Sequence, residues 1–414
     1  MLAEKTLRWT IGFTVGVWTA RYLGPIQYGT LNYALSFIAL FGGAASLGID
    51  YIGVRELVRS PERKAEILGT VLGLRIASGV ALGLAATGTA LAFGNDCGGR
   101  ALTSVLSLTL LLGCGDIFDL WFQAELRARS AATARTAVLI AIAASRVALI
   151  LLQAPLAAFA WLIVAESALT SIAVIHVFRR SGGYIGGWRF SAQRARALLA
   201  ESWPNIVSNI AILAYMRIDR IMLGEMKSEA AVGVYSAAGV LAEMWYVIPL
   251  TIVASATPMI TRLHQEYPRE YLRVVGQLAR VLAAISWLLA VVLCLVAWLL
   301  VPWLYGDAYV GTGLVLGILA WGLPFGFVGV AASPWYLNER LFVVAMWRHI
   351  AGAVLNLALN FALIPRWGAA GAALATTLAF GVAHVFANAF YSRTRSLFRL
   401  QLRALLLQPP QNQP

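Results

Sequence analysis

Four arginines stand inside stretches otherwise fit for hydrocarbon: Arg75, Arg146, Arg217 and Arg220. Arg8 stands in the opening turns of the first apolar run. A guanidinium stays charged and presents a planar fork of donors that matches two phosphate oxygens. A charge at the bilayer centre costs at least about 2.5–3.5 kcal/mol, so these side chains must face water, an opposite charge or an anionic ligand. Asn32, Asn205, Asn209, Asn356 and Asn360 stand in similar stretches, and an amide both donates and accepts, as sugar hydroxyls require. Asp116, Asp119, Glu166 and Asp219 are the acidic members and the candidates for coupling or gating, since a carboxylate takes up a proton or Na+. Together these types line a wet, polar path through the membrane. Nothing in the sequence points to bond-making chemistry: GxxxxGK[ST], HExxH and GxSxG are all absent. The reading is therefore of a non-enzyme with no cofactor and no metal site; movement of a solute is passive, driven by a partner, or coupled to an ion, Na+ or H+.

The residues fall into stripes at helical spacing. At about 100° per residue, Asn205, Asn209, Asp219 and Arg220 share a face, with Arg217 off it. Asp116, Asp119 and Gln123 cluster on one helix. His349, Asn356 and Asn360 line another, Asn32 pairs with Ser36, and Glu166 with Thr170. Stripes on helices from both halves of the chain imply a central hydrophilic cavity between the halves. Plainer readings compete. Asp219 and Arg220 could be an interfacial pair that fixes helix depth. Arg75 could snorkel to the surface, and Arg55 with Glu56 could be a solvated loop. His176, His264 and His384 have no metal-ligand spacing and read as packing residues.

The elements that carry them are membrane spans. Of 414 residues, 60% are hydrophobic and 12% charged, with a mean hydropathy of +0.75. Soluble domains are about 45–50% apolar and about 25% charged. The expectation is an all-α, polytopic integral membrane protein with about twelve transmembrane helices in two six-helix lobes. Of its Lys and Arg, 24 fall on one side of the alternating loops, 4 on the other and four within helices. That split places both termini in the cytoplasm. It also explains the net charge of +13 without a nucleic-acid partner. Cys97, Cys114 and Cys294 show no pairing pattern, and no cleaved signal peptide is read.

The expected organisation is an N-terminal lobe over 1–180, a cytoplasmic linker with an amphipathic helix over 181–201, a C-terminal lobe over 202–391 and a cytoplasmic tail over 392–414. Pro249, Pro324 and Pro334 should kink their helices. Between the first two spans lies Arg21-Tyr22-Leu23-Gly24-Pro25-Ile26-Gln27-Tyr28-Gly29, a turn in which Gly29 is free to take a positive φ. It has an echo at Arg220–Gly224 and Gly233–Ala237, which reads as the matching hairpin of the second half.

Three stretches in order resemble the polysaccharide-biosynthesis (Wzx-type) flippases of the multidrug/oligosaccharidyl-lipid/polysaccharide (MOP) exporter superfamily. They are Arg21–Gly29 with Gly48–Asp50 and Arg55–Leu57, then Tyr215–Gly224 with Val232–Ala238, then Asn356–Pro365 with Gly368–Thr376. The resemblance implies two six-helix lobes forming an alternating V. It implies as cargo a polyprenyl-pyrophosphate-linked oligosaccharide, crossing from the cytoplasmic to the periplasmic leaflet, with the lipid bilayer and glycan polymerase or export machinery as partners. Two relatives in that superfamily stay open, a MATE-type cation or drug antiporter and a lipid II flippase.

Overall fold

The structure is a computed structural model that describes residues 2–93 and 97–408, without the side chains of residues 2–10, 93, 97–98, 128 and 268–269. Sixteen α-helices make up the described chain, which contains no strand. The first seven are α1 (Leu2–Ala45), α2 (Asp50–Arg59), α3 (Lys64–Phe93), α4 (Cys97–Leu112), α5 (Ile117–Ala124), α6 (Ala128–Leu151) and α7 (Leu156–Arg180). Next come α8 (Ala192–Met226), α9 (Glu229–Glu243), α10 (Val247–Glu266), α11 (Pro268–Tyr305) and α12 (Thr312–Ala320). The last are α13 (Leu323–Ala331), α14 (Ser333–Asn338), α15 (Phe342–His384) and α16 (Arg395–Leu405). Helix is what apolar runs must form in lipid, where each backbone N–H and C=O needs a partner within its own segment.

Nine stretches among the described residues are long and apolar enough to cross a membrane, and the chain is a multi-span membrane protein. Two of them, of 49 and 48 residues, far exceed the roughly 20 residues of one crossing. The longer is broken at Gly24 (φ 69°) within α1 and again by the turn over 46–49, the other at Gly368 (φ 54°) within α15 and again at Val385. Both glycines stand where the sequence reading ends one span and begins the next. Helix α8 is not among the nine; its asparagines and charged residues lower its hydropathy. The three expected proline kinks take the form of helix breaks just before the proline. Met244–Tyr246 forms a 3-10 turn ahead of Pro249, and Pro324 and Pro334 stand in the first turns of α13 and α14.

The chain divides into two compact units. One comprises Met1–Leu23 and Thr30–Leu213, the other Gly24–Gly29 and Ala214–Pro414. The first is built on Ile49, Leu57, Ile67, Leu68, Phe118, Phe122 and Phe178. Phe178 meets Trp121, Phe118 and Trp188 with ring centroids 4.9–5.8 Å apart. Tyr22 packs on Phe159 and donates to the Ala154 carbonyl at 2.9 Å, which ties the start of the chain to the turn between α6 and α7. An interfacial helix over Phe190–Ala200, separate from the following span, is not what forms. Helix α8 runs unbroken from Ala192 through Pro204. Its start is pinned to α3: Arg189 N donates to Ala65 O at 3.3 Å, Ser191 N to Thr70 Oγ1 at 3.1 Å, and Arg194 Nε to Glu66 at 3.2 Å.

In the second unit, α11 packs on α12, α13 and α16 around Leu282, Leu293, Phe327 and Val328. Tyr271, Trp335, Tyr336 and Leu397 form a further core. The turn glycines have a different use from the one expected. Gly24, not Gly29, takes the positive φ. Gly29 is helical, and a Cβ there would run into the Glu229 backbone; a Cβ on Gly233 would strike the carbonyl of Pro25. The two glycines matched as echoes let two backbones touch.

Candidate functional site

The polar residues gather into two groups. In the first unit, α2 and α3 hold Asp50 against Arg75, a side chain only 8% exposed. Arg75 is anchored by a carboxylate and does not snorkel to the surface. It lines a cavity of about 160 Å³ with Ser46, Thr109, Cys114 and Asp116. Arg135 of α6 donates to Asp116 at 2.9 Å and to Asp119 at 2.5 Å. Arg146 on α6 meets Glu166 on α7 at 3.0 Å, both part-exposed. Asn205 and Asn209 of α8 lie half-buried against Gly48 and Gly43. Asn32 is half-buried on α1, and the Arg8 side chain lies outside the described residues.

In the second unit Asp219 is fully buried. Its Oδ1 accepts from Asn360 Nδ2 at 2.5 Å, and its Oδ2 accepts from Tyr235 Oη at 2.5 Å and from the Thr376 hydroxyl. Asn360 also donates to Asn356 at 3.1 Å, and both asparagines have no exposed surface. Arg220, adjacent in sequence, faces elsewhere. It donates to Glu243 at 3.0 Å and lies over the Tyr235 ring at 5.9 Å, while Arg217 stands 3.9 Å from the same carboxylate. The interfacial Asp219–Arg220 pair does not form: the two side chains go to different partners, and both are buried.

The sequence pattern of the family described as "Polysaccharide biosynthesis protein" matches residues 5–264. That stretch covers more than half of the chain. The chain belongs to the polysaccharide biosynthesis protein family. A probable flippase, AglR, from Haloferax volcanii is 27% identical over 241 residues; the match spans 53% of this chain and 47% of that protein. Among solved structures, the lipid II flippase MurJ in an inward closed conformation aligns with a TM-score of 0.68 at 14% identity, covering 98% of this chain and 90% of MurJ. An inward-facing MATE multidrug transporter aligns at 0.70 and 16%, covering 97% and 94%. The fold is that of the MOP exporters.

For this polysaccharide biosynthesis family member, sequence reasoning missed four residues that complete the site. Glu243, Tyr235 and Thr376 supply the partners of Arg220 and Asp219, and Arg135 holds Asp116 and Asp119. A signal existed for Glu243, a lone acid inside an apolar run, and for Arg135, counted as a loop charge. None existed for Tyr235 or Thr376, whose hydroxyls could have pointed anywhere. Among the described residues, no group of three or more His, Cys, Asp or Glu could hold a metal ion.

Proposed function

We propose that this chain is a flippase that carries a polyprenyl-pyrophosphate-linked oligosaccharide from the cytoplasmic to the outer leaflet of the inner membrane. It works by alternating access through twelve spans, with both termini cytoplasmic and without chemical conversion of its cargo. One observation carries the reading. Arg75, Arg146, Arg217 and Arg220 each stand within 4.0 Å of a carboxylate. Such pairs keep a guanidinium neutralised while the site is empty and hand it over to a more highly charged acid. A pyrophosphate is such an acid, and it accepts the guanidinium fork at two oxygens. The part-exposed Arg146 is the readiest to exchange. Asn32, Asn205 and Asn209 serve the glycan. Asp219 is the coupling group for Na+ or H+, held by Asn360 and, through it, Asn356. Asp116, Asp119 and Glu166 gate the arginines they face. Glycan polymerase or export machinery takes the product.

A deletion strain tests this. Lipid-linked oligosaccharide should accumulate on the cytoplasmic face, and the glycan on that lipid names the cargo. Transfer at the normal rate in a strain without another flippase would refute the proposal. A second reading, a MATE-type cation antiporter, draws support from Asp116, whose carboxylate is 55% exposed. Proton- or sodium-driven uptake of a cationic drug into liposomes would favour it. Loss of peptidoglycan synthesis on deletion would point instead to lipid II.

A further inference from the structure

Asp219 has no exposed surface of its own, so an ion that couples there needs a way in. Beside it lies a cavity of about 40 Å³ in the second unit. A site needs only about 10–15 Å³ to hold one water, so this one admits a small hydrated path. Tyr235 and Thr376, whose hydroxyls both donate to Asp219, line it. Glu243 lines it too, with a side chain 38% exposed. Tyr246 adds a hydroxyl with no hydrogen-bond partner among the described residues. One carboxylate is therefore part-exposed, another lies buried, and the hydroxyls that hold the buried one share a cavity with the first.

We propose that Glu243 is the entry group through which a small monovalent cation reaches Asp219. This rests on Asp219 being the coupling group. The charges around Glu243 explain why an acid is needed. Arg217 and Arg220 of α8 face it, and Tyr235 of α9 and Tyr246 are the other titratable groups at the cavity. Helices α12, α13 and α15 bring Leu319, Leu323, Thr376, Thr377 and Phe380, none of them charged. Without Glu243, the Arg220 guanidinium would stand unneutralised beside the path and repel a cation. With it, one of the two facing guanidinium charges is offset and a carboxylate oxygen is offered to the cation.

The test uses the purified full-length protein in detergent, with two arms that separate the ions. One arm follows ²²Na+ binding at fixed pH. The other follows proton uptake after a pH jump in sodium-free buffer, read with an indicator dye. The arm whose signal disappears in Asp219→Asn identifies the ion. In that arm Glu243→Gln slows binding at least about tenfold, the scale on which local charge sets association rates. Glu243→Asp, which keeps the charge and the pairing with Arg220, stays within a few-fold of wild type. Wild-type kinetics in Glu243→Gln, with the signal still lost in Asp219→Asn, would overturn the entry role and leave Asp219 as the coupling group. Equal slowing in folded Glu243→Gln and Glu243→Asp would also overturn it. A signal unchanged by Asp219→Asn in both arms would remove the coupling reading itself, and the entry role with it.

Discussion

Asp219 accepts from an amide on one oxygen and from two hydroxyls on the other. That division predicts how substitutions behave. Asp219→Asn keeps the acceptor facing Asn360, and its new NH₂ faces hydroxyls that can turn and accept. The variant should fold with little change in melting temperature while losing ion dependence. Asp219→Ala removes the acceptor shared by three buried donors; Asn360 keeps Asn356 and Thr376 keeps the Ala372 carbonyl, so the loss should be about 1–3 kcal/mol in total, more than in Asp219→Asn. Thermal unfolding in detergent distinguishes the two. Arg146 offers the complementary case. Its pair with Glu166 is part-exposed, so Arg146→Ala should change stability by less than about 1 kcal/mol. Transport should nevertheless fall in the Ala variant, and Arg146→Lys should rescue it only partly if the phosphate contact is bidentate. Full transport by Arg146→Ala would remove that residue from the mechanism.

Among the helices, the contact of Gly29 with Gly233 makes the strongest demand on sequence. Backbone stands opposite backbone there, so a methyl has nowhere to go. Gly29→Ala or Gly233→Ala should destabilise by about 1–3 kcal/mol or more. Gly88→Ala, on an exposed face of α3 with open space around it, should be neutral or slightly stabilising. At the start of α8, Arg55 grips both oxygens of Glu201, at 2.5 and 2.7 Å, and holds that carboxyl below the usual carboxylate range. A lowered carboxylate adds stability at pH values above its unfolded pKa, and loses it as pH falls through the folded value. Arg55→Ala should therefore cost a little at pH 7, below about 1 kcal/mol for so exposed a pair. The difference from wild type should vanish once both proteins are protonated. The proline breaks and the stretches of α1 and α15 on either side of their glycines were legible because proline and glycine act locally. The unbroken start of α8 was not legible, because hydrogen bonds to α3, distant in sequence, fix it.

For the molecule as a whole, the charge asymmetry of the loops predicts the orientation. Reporter fusions at both termini should read as cytoplasmic, and a cysteine placed at Arg100 or Arg366 should label from outside. The opposite labelling pattern would reverse the proposed direction of transport.

Composition and hydropathy by themselves determined that this is a helical, multi-span membrane protein, because continuous apolar runs of about 20 residues suit spanning helices and not the short alternating strands of a closed barrel. The order of short motifs pointed to the polysaccharide biosynthesis family, to which the chain belongs, and helical spacing singled out the polar residues in the spans. Only the tertiary structure decided their pairing. Asp219 and Arg220 are neighbours in sequence, yet adjacent residues on a helix point about 100° apart and meet different neighbours. Which hydroxyl or carboxylate waits there depends on α9 and α15, brought in by packing that no local pattern records. Periodicity gives the direction of a side chain; the partner belongs to another helix.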